Sequence, residues 1–413
     1  MQSTDAPDPR HAAWLALRVD PAVTELQEPT PEALLALVPD RMTGEPAFDR
    51  DAIAAVADGL DTDPPVATGH ALLDRSVSVG LAHIDATFRG DHPRYGVRRY
   101  AEEPHDGFPP TIVAAVDALS AWGLHERAAA LFRYWLGRFV RADGTFDYYG
   151  PSLAEYGQML HTALLLSQRA GLEVWWEEGR PALVRIVGHL LRLRSEARAT
   201  DGLLTGGPEA DESKKRGRYF HNNAWVWRGL LSWAALCEDQ GLPVHGVAEE
   251  AAALRTDTLA AIERTWPDDP DDWWLPPRVE PLPRPESLTA TRDASYTNYR
   301  YWPELLSSGL LPDETANRLV DARLSAGGQF MGMTRFEGWL DDWPLADYLS
   351  GLWRLGRRRE FLVSLYGHIL YHQAEGHLTA YEQVTLPPGR ERAPYCLPCQ
   401  LVAARAARLL VDA

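Results

Sequence analysis

Among its 413 residues the chain has three cysteines, Cys237, Cys396 and Cys399, and two lysines, Lys214 and Lys215. Three cysteines cannot form a disulfide framework, so stability must come from a buried core, and a reducing cytoplasm is the expected setting. No apolar run is long enough to cross a bilayer, and Met1 to Pro7 do not read as a basic segment leading into an apolar one. Positive charge is also scarce. A formal net charge of −17 argues against nucleic acid or an anionic membrane surface as a partner, because both repel such a chain. No glycine-rich phosphate loop opens a helix after a strand, and no GxSxG elbow is present, which removes the common nucleotide-binding and serine-hydrolase readings. Alternating strand-like runs are few.

Helical periodicity fills most of the chain instead. Ile112, Val113, Val116, Leu119 and Trp122 recur at spacings that put them on one helix face. Val184, Ile186, Val187, Leu190, Leu191 and Leu193 make a broader apolar face, as in a helix packed between neighbours. The pattern predicts helical pairs at 110–122 with 125–141, 152–170 with 174–197, 222–240 with 245–265, 301–310 with 312–325, and 343–355 with 358–373. A first helix at 66–88 and a last at 398–411 are left to pair with each other. Very short links alternate with long polar, aromatic-rich ones, so antiparallel pairing gathers the long loops on one face. The expected architecture is all-α, a helical toroid over residues 66–413, preceded by a Pro- and Asp-rich N-terminal cap at 1–65.

The long loops carry the candidate chemistry. Residues 201–212 place Gly206, Gly207 and Pro208 just before Glu209, Asp211 and Glu212. The following helix would be capped by Asn222 or Asn223, with Trp225 and Trp227 leaving it on different sides. Near the C-terminus Glu382 stands alone among Leu378, Ala380, Tyr381 and Val384, an environment that perturbs a carboxylate's proton affinity and suits a general acid or base, though a Glu bonded to a nearby Arg or to backbone amides reads equally well. Arg292, Asp293 and Tyr296 form a third cluster, Arg335, Trp339, Asp341 and Asp342 a fourth, and Tyr148 with Tyr149 a fifth. Aromatic faces beside carboxylates, Arg and Asn are the mixture that holds sugars. Singly, each cluster also reads as an ordinary pinned loop, since Arg–Asp pairs commonly do that work.

Cys396-Leu397-Pro398-Cys399 has metal or redox spacing, and His368 and His372 could complete a zinc site, but isolated helical histidines are more often surface or satisfied core groups. The acidic run at 268–272 matches a diphosphate-magnesium pattern only formally, because Pro270 makes it a loop.

The ring of hairpins, with an acid in a middle loop and another near the C-terminus, resembles the six-hairpin glycosidases: glucoamylases, trehalases and processing alpha-glucosidases. Gly207-Pro208-Glu209 matches the Gly-x-Asp/Glu step that supplies the general acid in that group. Tyr381-Glu382-Gln383 matches the late Tyr-Glu element that supplies the base in the processing-glucosidase branch. The resemblance implies an (α/α)6 toroid and an inverting glycoside hydrolase acting on a small glycoside or oligosaccharide without metal or organic cofactor. Glu209 would be the acid, with Asp211 and Glu212 as alternatives, and Glu382 the base. Tyr149, Asn223, Trp227, Arg292, Asp293, Tyr296, Arg335, Trp339, Asp341, Asp342, Tyr381 and Gln383 would line the sugar site. Trehalase signatures and an N-terminal β-sandwich are missing. Two rival readings use the same toroid: an epimerase or lyase working through His221, His377 or Tyr381, and a non-catalytic sugar- or protein-binding scaffold.

Overall fold

The computed structural model describes residues 50–60, 66, 68–96, 105–148, 150–171, 173, 175–210, 214–244, 246–266, 272–330, 332–373, 378–385, 391–392 and 396–411. Tyr149, Asp211, Glu212, His377 and nearly all of the N-terminal cap fall outside them.

The short links form because the helix ends stop sharply. Helix α3 (Pro109–Ala121; α1 is Arg50–Leu60 and α2 Ala71–Thr87) ends in a Schellman motif at Gly123, whose φ of 79° disfavours a side chain. The Leu124 N–H reaches back to the Leu119 carbonyl at 2.9 Å, and α4 (His125–Phe139) starts at once in the opposite direction. Gly241 turns the chain in the same way between α7 (Phe220–Asp239) and α8 (Val247–Thr265), with Leu242 N–H on the Cys237 carbonyl at 2.9 Å. The remaining helices are α5 (Leu153–Ala170), α6 (Trp176–Ala197), α9 (Arg292–Tyr296), α10 (Trp302–Ser308), α11 (Asp313–Ser325), α12 (Leu345–Arg354), α13 (Arg358–Gly367), α14 (Leu397–Gln400) and α15 (Val402–Val411). Two π-helical segments, Thr297–Tyr301 and His368–His372, lead into α10 and out of α13.

Six helices form a closed inner ring in which each touches the next: α3, α5, α7, α10, α12, α15 and back to α3. Helices α2, α4, α6, α8, α11 and α13 alternate with them along the chain and form the outer layer; α2 packs on α15, so first and last helices meet. The architecture is the expected (α/α)6 toroid. Large apolar side chains, among them Trp135, Phe132, Phe139 and Trp302, fill the space between the layers. Helices α5 and α7 cross closely at Gly157 and Gly229, where a Cβ on Gly157 would overlap the Trp225 carbonyl.

Helices α3, α5, α7 and α12 start where a long loop ends, as does the continuous α9–α10 run, so their N-termini share one face. On that face lies an element the periodicity does not reveal: a small antiparallel sheet, in order β1 (Gln329–Phe330), β2 (Met333–Phe336), β3 (Trp339–Asp341), β4 (Gln383–Thr385) and β5 (Glu391–Arg392). It joins the loop before α12 to the loop after α13, pairing Asp341 with Gln383 and Leu340 with Val384.

Asn222 and Asn223 are not N-caps, because α7 begins at Phe220 with Tyr219 as the cap residue. Both are buried and brace the acidic loop from inside the first turn. Asn223 accepts from Leu204 N–H at 2.9 Å and donates to the Leu204 carbonyl at 3.2 Å. Asn222 donates to the Gly207 carbonyl at 2.9 Å and accepts from Ala154 N–H at 3.0 Å, tying that loop to the start of α5.

Candidate active site

Glu209 is delivered by the braced loop to the centre of the face and is 5% exposed. There it meets Arg300, whose Nη1 donates to Glu209 Oε2 at 2.9 Å. The same guanidinium donates through Nε to Glu304 Oε1 at 2.5 Å and through Nη2 to Glu155 Oε1 at 3.4 Å. Arg300 and Glu304 lie one turn apart across the junction of the π-helical segment and α10. Glu155 sits at the third position of α5, where it also accepts from the Ser152 N–H at 3.1 Å in a capping box.

Three buried carboxylates thus surround one guanidinium. One guanidinium shared by buried carboxylates in a poorly solvated place favours retention of a proton among them. Burial, opposed by Arg300 and reinforced by Glu304, pushes Glu155 up to about 8. Burial also raises Glu304 against the pull of Arg300, while the Arg300 guanidinium is held firmly charged by its three partners. His221 is buried beside them, with Nε2–H on the Pro208 carbonyl at 3.0 Å and its ring stacked on Tyr301 at 4.8 Å. Burial lowers its pKa to about 3, so the imidazole is neutral.

The second acidic group comes from the sheet. Asp341 and Asp342 are buried at the end of β3, and Glu382 is half-buried just ahead of β4. Asp341 Oδ2 accepts from Gln383 Nε2, and Asp341 Oδ1 from Trp343 N–H at 2.9 Å. Burial, then the nearby Glu382 charge, raise Asp341 well above the usual carboxylate range. Asp342 faces His368 Nδ1, and its backbone N–H donates to the Glu382 carbonyl at 3.0 Å.

Tyr299 is buried nearby, and its pKa is raised well above the ordinary value by burial and then by Asp341, Glu209 and Glu382. Around it Trp343 lies 6.1 Å from the Tyr299 ring and 6.4 Å from Phe108, with the Arg300 guanidinium 4.6 Å from its own ring centre. Phe108 in turn lies 5.5 Å from Tyr148. Trp343 also lines a cavity of about 60 Å³ in the axis of the ring, with Trp225, His161, Asp117, Asp347 and Arg405.

The other residues expected at a sugar site are distributed unevenly. Tyr296 is buried against Tyr299 and Phe336, and Arg292 lies over its ring, donating to the Tyr296 hydroxyl at 2.8 Å. Asp293 is exposed and pairs with Lys215 at 2.6 Å, a rim contact. Arg335 pins its own loop through the Gly327 carbonyl at 3.0 Å. Trp339 is half-buried on β3, while Tyr381 is fully buried. Asn223 is spent on the loop, and Trp227 packs away from the cluster beneath Arg255 of α8, 5.8 Å from the ring; Trp225 is the indole on the axis. Cys396 and Cys399 are buried with sulfurs 3.1 Å apart, and His368 is engaged with Asp342. Among the described residues no group of three or more His, Cys, Asp or Glu is arranged to hold a metal.

Glu155, Arg300 and Glu304 do not stand out in the loop clusters, since two of them lie in helices. Two local signals mark them: Ser152 and Glu155 have capping-box spacing, and Arg300 and Glu304 are an opposite-charge pair four apart inside an aromatic run.

No protein-family model matches the sequence, and no curated protein matches it. Solved structures do match in fold. A wild-type glycosidase superposes with a TM-score of 0.58 at 15% identity, over 84% of this chain and 97% of that one. A glycosidase variant in complex with glucose gives 0.56 at 14% identity, over 84% and 97%. A glucoamylase from Saccharomycopsis fibuligera gives 0.52 at 10% identity, over 90% and 98%. The toroid is therefore similar in fold to those of glycosidases and of a glucoamylase.

Proposed function

We propose that this protein is a glycoside hydrolase that inverts the anomeric centre, with Glu209 as general acid and Glu382 as general base. The observation that carries the reading is that two different long loops bring Glu209 and Glu382 to either side of Trp343: Arg300, bonded to Glu209, lies 4.6 Å from its ring, and Asp342, next to it in the chain, holds the Glu382 carbonyl at 3.0 Å. An inverting pair flanks the scissile bond with room for a water, its carboxyls about 6.5–9.5 Å apart. The fold likeness to glycosidases supports the same class of reaction.

In this mechanism the sugar stacks on the wall formed by Trp343 and Phe108. The proton retained by the Glu155–Glu209–Glu304 cluster supplies Glu209, which gives it to the leaving oxygen as the glycosidic bond breaks. Arg300 holds the three side chains in place and stabilises the carboxylate left behind. Glu382, half-buried, takes a proton from the water attacking the opposite face. Asp341 and Asp342 flank that water's side of the ring, and Asp341, held by Gln383 Nε2 and the Trp343 N–H, keeps that wall in place.

Neutral, buried His221 has its N–H committed to Pro208, which makes it a poor proton shuttle for epimerase chemistry. The test is hydrolysis of a panel of disaccharides and aryl glycosides by Glu209→Gln and Glu382→Gln. Each is expected to lower turnover by about 10²–10⁴-fold with the fold retained. Wild-type rates in either variant would remove that residue from the mechanism.

A further inference from the structure

Glu382 lies in a loop, yet its backbone is fastened on both sides. On one side Asp342 N–H donates to the Glu382 carbonyl at 3.0 Å, continuing the β3–β4 ladder. On the other, the π-helical segment His368–His372 grips the preceding residue twice. Tyr381 N–H donates to the His372 carbonyl at 2.7 Å, and His372 Nδ1 lies 2.9 Å from the Tyr381 carbonyl. A carbonyl only accepts, so the His372 proton is on Nδ1 and points at Tyr381. In this neutral tautomer Nε2 of the same ring is the unprotonated nitrogen, and it has no hydrogen-bond partner among the described residues. Burial favours the neutral form.

The neighbouring histidine is oriented by a similar logic. The Gln373 amide donates to His368 Nε2 at 3.0 Å and to Ser76 Oγ at 2.6 Å. That leaves the His368 proton on Nδ1, facing Asp342 Oδ2. The chain Ser76–Gln373–His368–Asp342 therefore fixes the residue whose N–H holds the Glu382 carbonyl. π-Helical turns are locally costly and recur at functional sites, and this one turns both histidines toward the same short loop.

We infer that His372 is a positioning residue for the base: its Nδ1–H, acting through the Tyr381 carbonyl, sets where the Glu382 carboxylate stands relative to the attacking water. The inference rests on Glu382 as general base. His372 touches neither sugar nor water, so its removal changes the geometry of proton transfer and leaves sugar binding alone. A misplacement of about 1 Å at such a step costs on the order of a hundredfold.

The experiment compares kcat and KM of His372→Ala, His372→Asn and Glu382→Gln on one hydrolysed glycoside. Asparagine places an amide N–H near the position of Nδ1–H. The expected result is a roughly tenfold to hundredfold loss of kcat in His372→Ala with KM unchanged, largely restored in His372→Asn. Where His372→Ala does not fold, His372→Phe keeps the volume without the donor and takes its place. Wild-type kcat in the donor-less variant, with Glu382→Gln inactive, overturns the positioning role alone. So does a loss that His372→Asn, correctly folded, fails to restore. Full activity in Glu382→Gln overturns the base assignment and the positioning role with it.

Discussion

Two charge clusters along the ring axis, one half-buried and one buried, have opposite arithmetic. Toward the end of α3, one carboxylate, Asp117, is shared by Arg169 at 2.8 Å and Arg405 at 2.8 Å. Burial alone would raise its pKa, but the two guanidinia overcome that and hold it down at about 2. At the mouth, three carboxylates share the single Arg300, and burial wins at Glu155 and Glu304. The same side-chain types thus make a staple in one place and a proton store in the other. The ratio of guanidinium to carboxylate, set by which residues the inner helices present, decides between them. Asp347 lies between the two, pushed up to about 6 by burial, with Arg405 lowering it and Glu304 raising it.

The difference can be broken from the staple side with the larger effect on stability. Asp117→Asn leaves two guanidinia without their shared anion. A loss of about 2–4 kcal/mol in denaturant unfolding is expected, with kcat of the remaining folded protein unchanged. A smaller, pH-dependent effect sharpens the mouth. The Glu155 pKa is raised from an ordinary 4.5 to about 8 on folding, so the unfolded chain releases this proton first. The stability contribution of the protonated group is therefore complete below about pH 4.5 and declines as pH rises to about 8, then levels off. Glu155→Gln should flatten that decline when melting temperature is followed from pH 4 to 9, while costing little at pH 4. An unchanged slope would mean that Glu155 does not hold the proton.

The two clusters were not equally legible. The toroid follows from helical periodicity and from glycines such as Gly123 and Gly241, because a Schellman turn is a local event written in a few residues. The acids Glu209 and Glu382 stand out because each is in a long loop beside turn-forming or aromatic residues. Arg300, by contrast, is masked by its setting. Nothing local tells that a guanidinium in an aromatic run will meet Glu155, 145 positions earlier, and Glu209, 91 earlier. Only ring closure brings them together. The sheet that carries Asp341 and Gln383 escapes for another reason: strands of two to four residues are too short to show alternation. Trp225 and Trp227 show the limit of a helical-wheel argument. Spacing predicts that they diverge, but which one faces the axis depends on how α7 is rotated against α5 and α8.

In the proposed mechanism Glu209 and Glu382 act from opposite faces of one sugar, with the attacking water on the Glu382 side. Proton NMR of the first sugar released from a hydrolysed glycoside, recorded before mutarotation, tests it most directly. The expected product is the anomer opposite to that of the substrate. Release of the same anomer would contradict it, requiring a nucleophile close enough to form a covalent glycosyl intermediate.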